Sequence, residues 1–221
     1  MSALTLATLR GRVRAALMDA SSAIWADADL DAAIGEALRL LSAAAPAGYT
    51  AVLTLTADGR ELSLAALSDL IGVTEVWFPY IAPAAGVGEV FGVCPFRFFW
   101  EGETPTLRLE PDGGRMPRSG ENLRLFYSGM LKLDGLEGAA LTTLPARDEA
   151  LLALGAAGQA ALSRSLDLME TPAQDLYAVT LLAVWGRSRL KEFNAGLEAR
   201  RAASARRGAG VSLSGGWDVD R

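Results

Sequence analysis

The sequence predicts an α+β fold: N- and C-terminal helices forming a helical bundle, with an antiparallel β region inserted between them. Three observations carry this. The 221 residues include forty alanines, yet none falls between Gly86 and Gly138. The stretch Trp77–Tyr127 holds ten of the sixteen aromatic residues. Apolar spacing changes from three-and-four to two near Tyr49, and helical spacing resumes after Leu144-Pro145. Helix formers therefore flank a strand-forming middle. The order is helix, strand, helix rather than alternating βαβ, which argues against a doubly wound nucleotide-binding fold. The expected divisions are a helical pair over 1–48, the β region over 49–130, completing helices over 131–207 and an extended tail over 208–221.

In the first helix Leu6, Leu9, Val13 and Leu17 form one stripe, with Arg10, Arg12 and Arg14 on the other faces. It is expected to end near Asp19. A second helix begins after Trp25, where Asp27 is expected to cap the backbone amides while Asp29 and Asp31 complement the positive helix start. Its buried stripe is Leu30, Ile34, Leu38 and Leu41, and Pro46 and Gly48 end it. Ala51–Thr56, the Asp58-Gly59 turn and Glu61–Leu64 read as a hairpin. Further strands are expected at Val73–Tyr80, Phe96–Trp100, Thr106–Glu110 and Asn122–Tyr127, punctuated by Gly and Pro as in a small antiparallel sheet or barrel. Leu151, Leu152, Leu154 and Leu162 lie on the third helix. Pro172 is placed at a helix start, and a long element from Ala173 toward Arg206 is expected to bury Leu176, Val179, Leu182, Leu190, Phe193 and Leu197.

Composition narrows the chemistry. The chain has no histidine, which removes imidazole bases and the commonest transition-metal ligand. Its one cysteine, Cys94, forms no intrachain disulfide or thiolate zinc site and suits a reducing compartment. Without an imidazole to activate it, Cys94 reads as a buried, inert thiol. Met1-Ser2-Ala3-Leu4 is not a basic-then-apolar leader, and the apolar stretch near Leu176–Gly186 is too short for a bilayer, so a soluble, unsecreted chain with no membrane partner is expected.

Candidate sites fail their own tests. Asp27, Asp29 and Asp31 have the spacing that opens a calcium loop, but Ala32 stands where glycine is required and Leu38 where glutamate is. Gly86-Val87-Gly88 lacks the third glycine of a dinucleotide loop, Phe91 taking its place. Glu101 and Glu103 are a carboxylate pair on one expected strand face, where solvated charge is the ordinary role. Phe96, Phe98, Phe99 and Trp100 read as sheet core, with Arg97 the one basic residue among them. No catalytic, cofactor or metal residue is expected.

Net charge is −5, but residues 182–207 carry seven Arg or Lys against Glu192 and Glu198, leaving −10 for the rest. Such a split favours stacking or ring assembly, though a solvated helix face explains the same run. Arg187, Arg189, Arg200 and Arg201 are therefore candidate partner-binding residues. Val211, Leu213 and Trp217 join them, because a Gly/Ser-rich tail that keeps apolar side chains suits docking as an extended strand.

Leu6-Ala-Thr-Leu9-Arg10, Val13-Arg14, Trp25-Ala-Asp27-Ala-Asp29-Leu30 and Ile34-Gly-Glu36-Ala37-Leu38 together resemble the opening of tailed-phage head–tail connector (adaptor) proteins. Leu144-Pro145 resembles the pair that precedes the family's last two helices. The resemblance implies a non-enzymatic virion component at the neck: a ring, usually of twelve copies, beneath the portal protein. Such a ring joins head to a tail or stopper protein, lines the channel through which DNA passes without sequence-specific binding, and uses no cofactor. The central aromatic segment is longer than a minimal connector needs. Two other classes fit the sequence, a histidine-independent carboxylate enzyme and a small-molecule or peptide-binding module using the aromatic sheet.

Overall fold

The computed structural model describes residues 4–19, 21, 24–83, 88–169 and 175–209. The chain divides into a helical unit, built from residues 1–45 and 131–221, and a β unit spanning 46–130. The mix of helices and antiparallel sheets is the α+β class.

In the helical unit, α1 (Leu6–Ala16) is capped by the Thr5 hydroxyl, which accepts from the Thr8 amide at 3.3 Å. Its stripe of Leu6, Leu9 and Val13 is buried. The turn after it is organised by Asp19, 1% exposed, whose carboxylate accepts from the Arg14 guanidinium at 3.1 Å and the Trp25 amide at 3.2 Å. A buried charge needs such partners to offset its lost hydration. Next comes α2 (Asp27–Ala44), which buries Leu30, Ile34, Leu38 and Leu41 as its spacing predicts.

The expected cap at Asp27 is not formed. Ala26 is the N-cap residue, with extended backbone and no side-chain cap bond, and Asp27 is already helical. An N-cap side chain works from outside the helix; from the first helical position Asp27 instead pairs with Arg14 at 2.5 Å and Arg10 at 3.1 Å. Arg10 also grips Asp31 through two bonds of 2.6 and 2.5 Å. The aspartates thus tie α1 to α2.

Leu144-Pro145 leads through a single 3-10 turn into α3 (Glu149–Met169), and α4 (Leu176–Ala209) runs back along it. Small residues bring these two helices close. A Cβ on Gly155 would lie 2.8 Å from the Phe193 ring, and one on Gly186 would lie 3.1 Å from the Gly158 carbonyl oxygen. Phe193 is fully enclosed, and burying such a ring stabilises by about 1.5–3 kcal/mol. Val179 and Leu197 are buried as expected and Leu182 and Leu190 partly so, whereas Leu176, the first residue of α4, is 69% exposed because it precedes by one turn the point where Val179 enters the core. The expected helix start at Pro172 lies outside the described residues.

The β unit holds seven strands among its described residues: β1 (Ala47–Thr54), β2 (Glu61–Ser63), β3 (Leu70–Ile81), β4 (Val90–Val93), β5 (Phe96–Glu101), β6 (Thr104–Leu109) and β7 (Asn122–Gly129). They form two antiparallel sheets, ordered β1-β7-β3-β4 and β2-β6-β5. Alternate residues Leu123 and Leu125 of β7, with Leu107 and Leu109 of β6, meet in one apolar core that also encloses Val76 and Phe78.

The expected hairpin between β1 and β2 does not form: β1 pairs with β7, and β2 with β6 in the other sheet. Gly59 has φ of +145°, outside the range a two-residue type I′ turn requires. Asp58 instead accepts the Ser119 amide at 2.7 Å, joining its loop to the one entering β7. Phe96 and Phe98 face the core, and alternation turns Phe99, 37% exposed, to the other side; Trp100 shares the side of Phe98 and meets its ring edge-on, but near the end of the strand it is 54% exposed.

Candidate interaction surfaces

The proposed partner-binding arginines do not form one surface with one role. Arg187 is exposed on α4. Arg189 pairs with Glu192 at 3.1 Å, with its guanidinium 5.6 Å from the centre of the Trp185 ring, and Arg201 pairs with Glu198 one helical turn away. Arg200 turns inward. Its Nε lies 2.5 Å from the carboxylate of Asp148, a residue 2% exposed, and it donates to the Arg147 carbonyl oxygen at 3.1 Å. Arg200 thus anchors α4 to the turn before α3. Val211, Leu213 and Trp217 lie outside the described residues.

Sequence reasoning missed an apolar face beside these cations. Tyr177, Leu181 and Val184 are 72, 51 and 55% exposed, at the spacing that places them on one side of α4. Arg187, Ser188 and Lys191 continue that side, also exposed. Leu166 and Met169, at the C-terminal end of α3, are 62 and 60% exposed. The signal was present in the spacing, but the same spacing also fits a buried stripe.

A cleft of about 240 Å³ opens between α2 and α3. Its floor is Trp25, whose indole N–H donates to the Ala160 carbonyl oxygen at 3.4 Å, and its rim carries Asp29, Glu36, Arg164 and Asp167. Glu36 is committed to Arg39 at 2.5 Å. Among the described residues no cluster of Cys, Asp and Glu is arranged to hold a metal ion, and no helix is long and apolar enough to cross a membrane.

In the β unit, Arg124 sits among aromatic rings, 5.2 Å from the centres of Trp77 and Phe126 and 5.6 Å from Tyr80, and pairs with Glu89 at 2.5 Å. Trp77 in turn stacks on Phe91 at 3.9 Å. This box is filled by the protein's own cation. Burial pushes the Tyr80 hydroxyl above its ordinary range, with the adjacent Glu89 adding to the shift. Cys94 is 3% exposed, and burial raises its thiol pKa, which disfavours the thiolate a nucleophile needs. Glu101 and Glu103 are exposed at the turn joining β5 and β6, not on one strand face.

No family model matches the chain, and no curated protein matches it. Among solved structures it is similar to a chain in the neck of an empty gene transfer agent particle computed with C6 symmetry. Identity there is 20%, coverage is 83% of this chain and 88% of that one, and the TM-score is 0.30. It is also similar to a chain in the virion of a native gene transfer agent particle, at 21% identity, 82% and 87% coverage and a TM-score of 0.31. Neither overlap is large enough to equate the folds.

Proposed function

We propose that this chain is a structural head–tail connector of a tailed phage or related particle. It forms a ring under the portal, joins head to tail and lines the DNA channel. The observation that carries the reading is what the structure does with the connector-like motif. Trp25 is buried against α3, Asp27 binds Arg10 and Arg14 of α1, and Leu30 is fully enclosed. All three residues of the Trp-x-Asp-x-x-Leu pattern thus build the helical unit, which supports a fold signature rather than a chance match.

The exposed face of α4 supplies the surface for assembly. Tyr177, Leu181 and Val184 give apolar area, and Arg187 and Lys191 give positive charge beside it. An acidic surface on the next copy, or on the portal, complements that pairing. The tail residues Val211, Leu213 and Trp217 belong to the same reading as docking groups.

Solution mass of the purified chain, with cryo-electron microscopy of neck-containing particles, tests it. The expected result is a ring of this chain between portal and tail. Monomers at every concentration, with no density for the chain in the neck, overturn the proposal.

A further inference from the structure

An open sheet edge presents unpaired amide and carbonyl groups, and proteins ordinarily guard it with shortness, charge, proline or a bulge. Three of the four edges in the β unit are guarded. Strand β2 has three residues, β4 has four, and β5 carries Arg97 and Glu101. Strand β1 is different: its eight residues, Ala-Gly-Tyr-Thr-Ala-Val-Leu-Thr, include no charge and no proline, and its pairing with β7 runs without a register shift.

The direction of its free groups follows from the ladder. The Leu55 amide donates to the Glu121 carbonyl at 2.9 Å, so Leu55 faces β7. Alternation turns Leu53, Ala51 and Tyr49 the same way and points the amides of Thr50, Val52 and Thr54 outward. These three also carry the exposed side chains of the strand, with Val52 52% exposed. Beyond Thr54 the edge runs into a cleft of about 270 Å³ whose lining is half apolar, with Leu53, Leu55 and Leu62, and half polar, with Thr56 and Glu61.

The chain contains a segment that matches this edge. Residues 208–217 are also uncharged, and Val211, Leu213, Gly215 and Trp217 alternate with Ser212, Ser214 and Gly216. We propose that the edge of β1 receives residues 211–217 of a second copy as an added parallel strand. Val211 lies beside Thr50, Leu213 beside Val52, Gly215 beside Thr54 and Trp217 at the cleft. Main-chain hydrogen bonds hold the segment, and the alternate apolar side chains fix its register. The inference rests on the ring reading, because an edge and a tail on each copy let every subunit give one strand and receive one.

Disulfide trapping tests it on the full chain. Copies carrying Thr54→Cys are mixed with copies carrying Gly215→Cys and mildly oxidised; Cys94, the remaining thiol, is buried. The expected result is a cross-linked pair forming at least tenfold faster than with Ala28→Cys in place of Thr54→Cys. Adding Val52→Pro to the Thr54→Cys copy should abolish the excess, since proline there removes an outward donor and no bond to β7. Val52→Lys, which leaves the backbone unaltered, does the same if the proline variant fails to fold. Cross-linking no faster than the control, or unaffected by both Val52 substitutions, overturns the proposal. Solution mass separates the two readings: a ring that gives no cross-link sinks this inference and leaves the ring standing.

Discussion

Gly155 and Gly35 are both helical glycines, and the structure assigns opposite outcomes to replacing them with alanine. A Cβ at Gly35 on α2 meets nothing within 4 Å, so Gly35→Ala gains the helix-propensity difference of about 0.8–1 kcal/mol. At Gly155 the same gain is opposed by a clash: the new carbon would lie 2.8–2.9 Å from three Phe193 ring atoms, and that ring is 0% exposed and has no room to swing away. Overpacking of this kind costs about 1–3 kcal/mol. The propensity term is common to both substitutions and cancels in their difference, which leaves the steric cost alone. Thermal unfolding of the helical unit should therefore place Gly155→Ala about 3–9 °C below Gly35→Ala, at roughly 3 °C per kcal/mol. Circular dichroism at 222 nm measures it. Equal melting of the two variants, or a higher value for Gly155→Ala, would refute the close approach of α3 and α4.

Four further outcomes are expected. Asp27→Ala should lose about 1 kcal/mol, from ion pairs on a side chain that is 60% exposed and from its place at a helix start, and chelators should leave the wild-type melt unchanged. Asp19→Ala should cost about 1–3 kcal/mol, because it leaves the buried Trp25 amide without its acceptor while Arg14 keeps Asp27 and the Trp25 carbonyl; denaturant titration reads this directly. Arg200→Ala should lower the melting temperature by the equivalent of about 1–3 kcal/mol, less than a fully enclosed pair loses, since Arg200 is 30% exposed; Arg187→Ala should stay within about 0.5 kcal/mol of wild type. Cys94 should react slowly with a thiol reagent at pH 8 in the native protein and rapidly in denaturant. Its raised folded-state pKa also means that stability falls as pH rises through the unfolded thiol's range, where only the unfolded chain ionises.

Helices with a plain apolar period were legible from sequence. The stripes of α1 and α2 and the strands β3, β5, β6 and β7 lie where spacing puts them. What failed depended on partners outside the local window. Asp27 is a good capping residue, but two arginines on another helix compete for its carboxylate. Asp58-Gly59 is a strong turn signal, yet each flanking strand finds its partner more than forty residues away. Strand β4 is only four residues long and sits between glycine and proline, too short for alternation to register. Asp19 gave no signal beyond a helix end, since its value lies in amides brought to it by the fold.

The basic run on α4 shows why composition alone overstates an interface. Read as charge, residues 182–207 form one cationic block. In the helix each residue turns about 100° from the last, so the block is distributed around the axis and its described members have different surroundings. Arg200 finds a buried carboxylate, Arg189 and Arg201 find glutamates one turn away, and Arg187 and Lys191 reach solvent. A charge already paired within its own subunit has less to offer a second one, because the new partner must compete with an existing interaction and with water. On the proposed assembly, the surface that serves recognition is therefore narrower than the run and displaced toward the start of α4. There the two free cations adjoin Tyr177, Leu181 and Val184, and apolar area supplies the driving force that exposed charge does not.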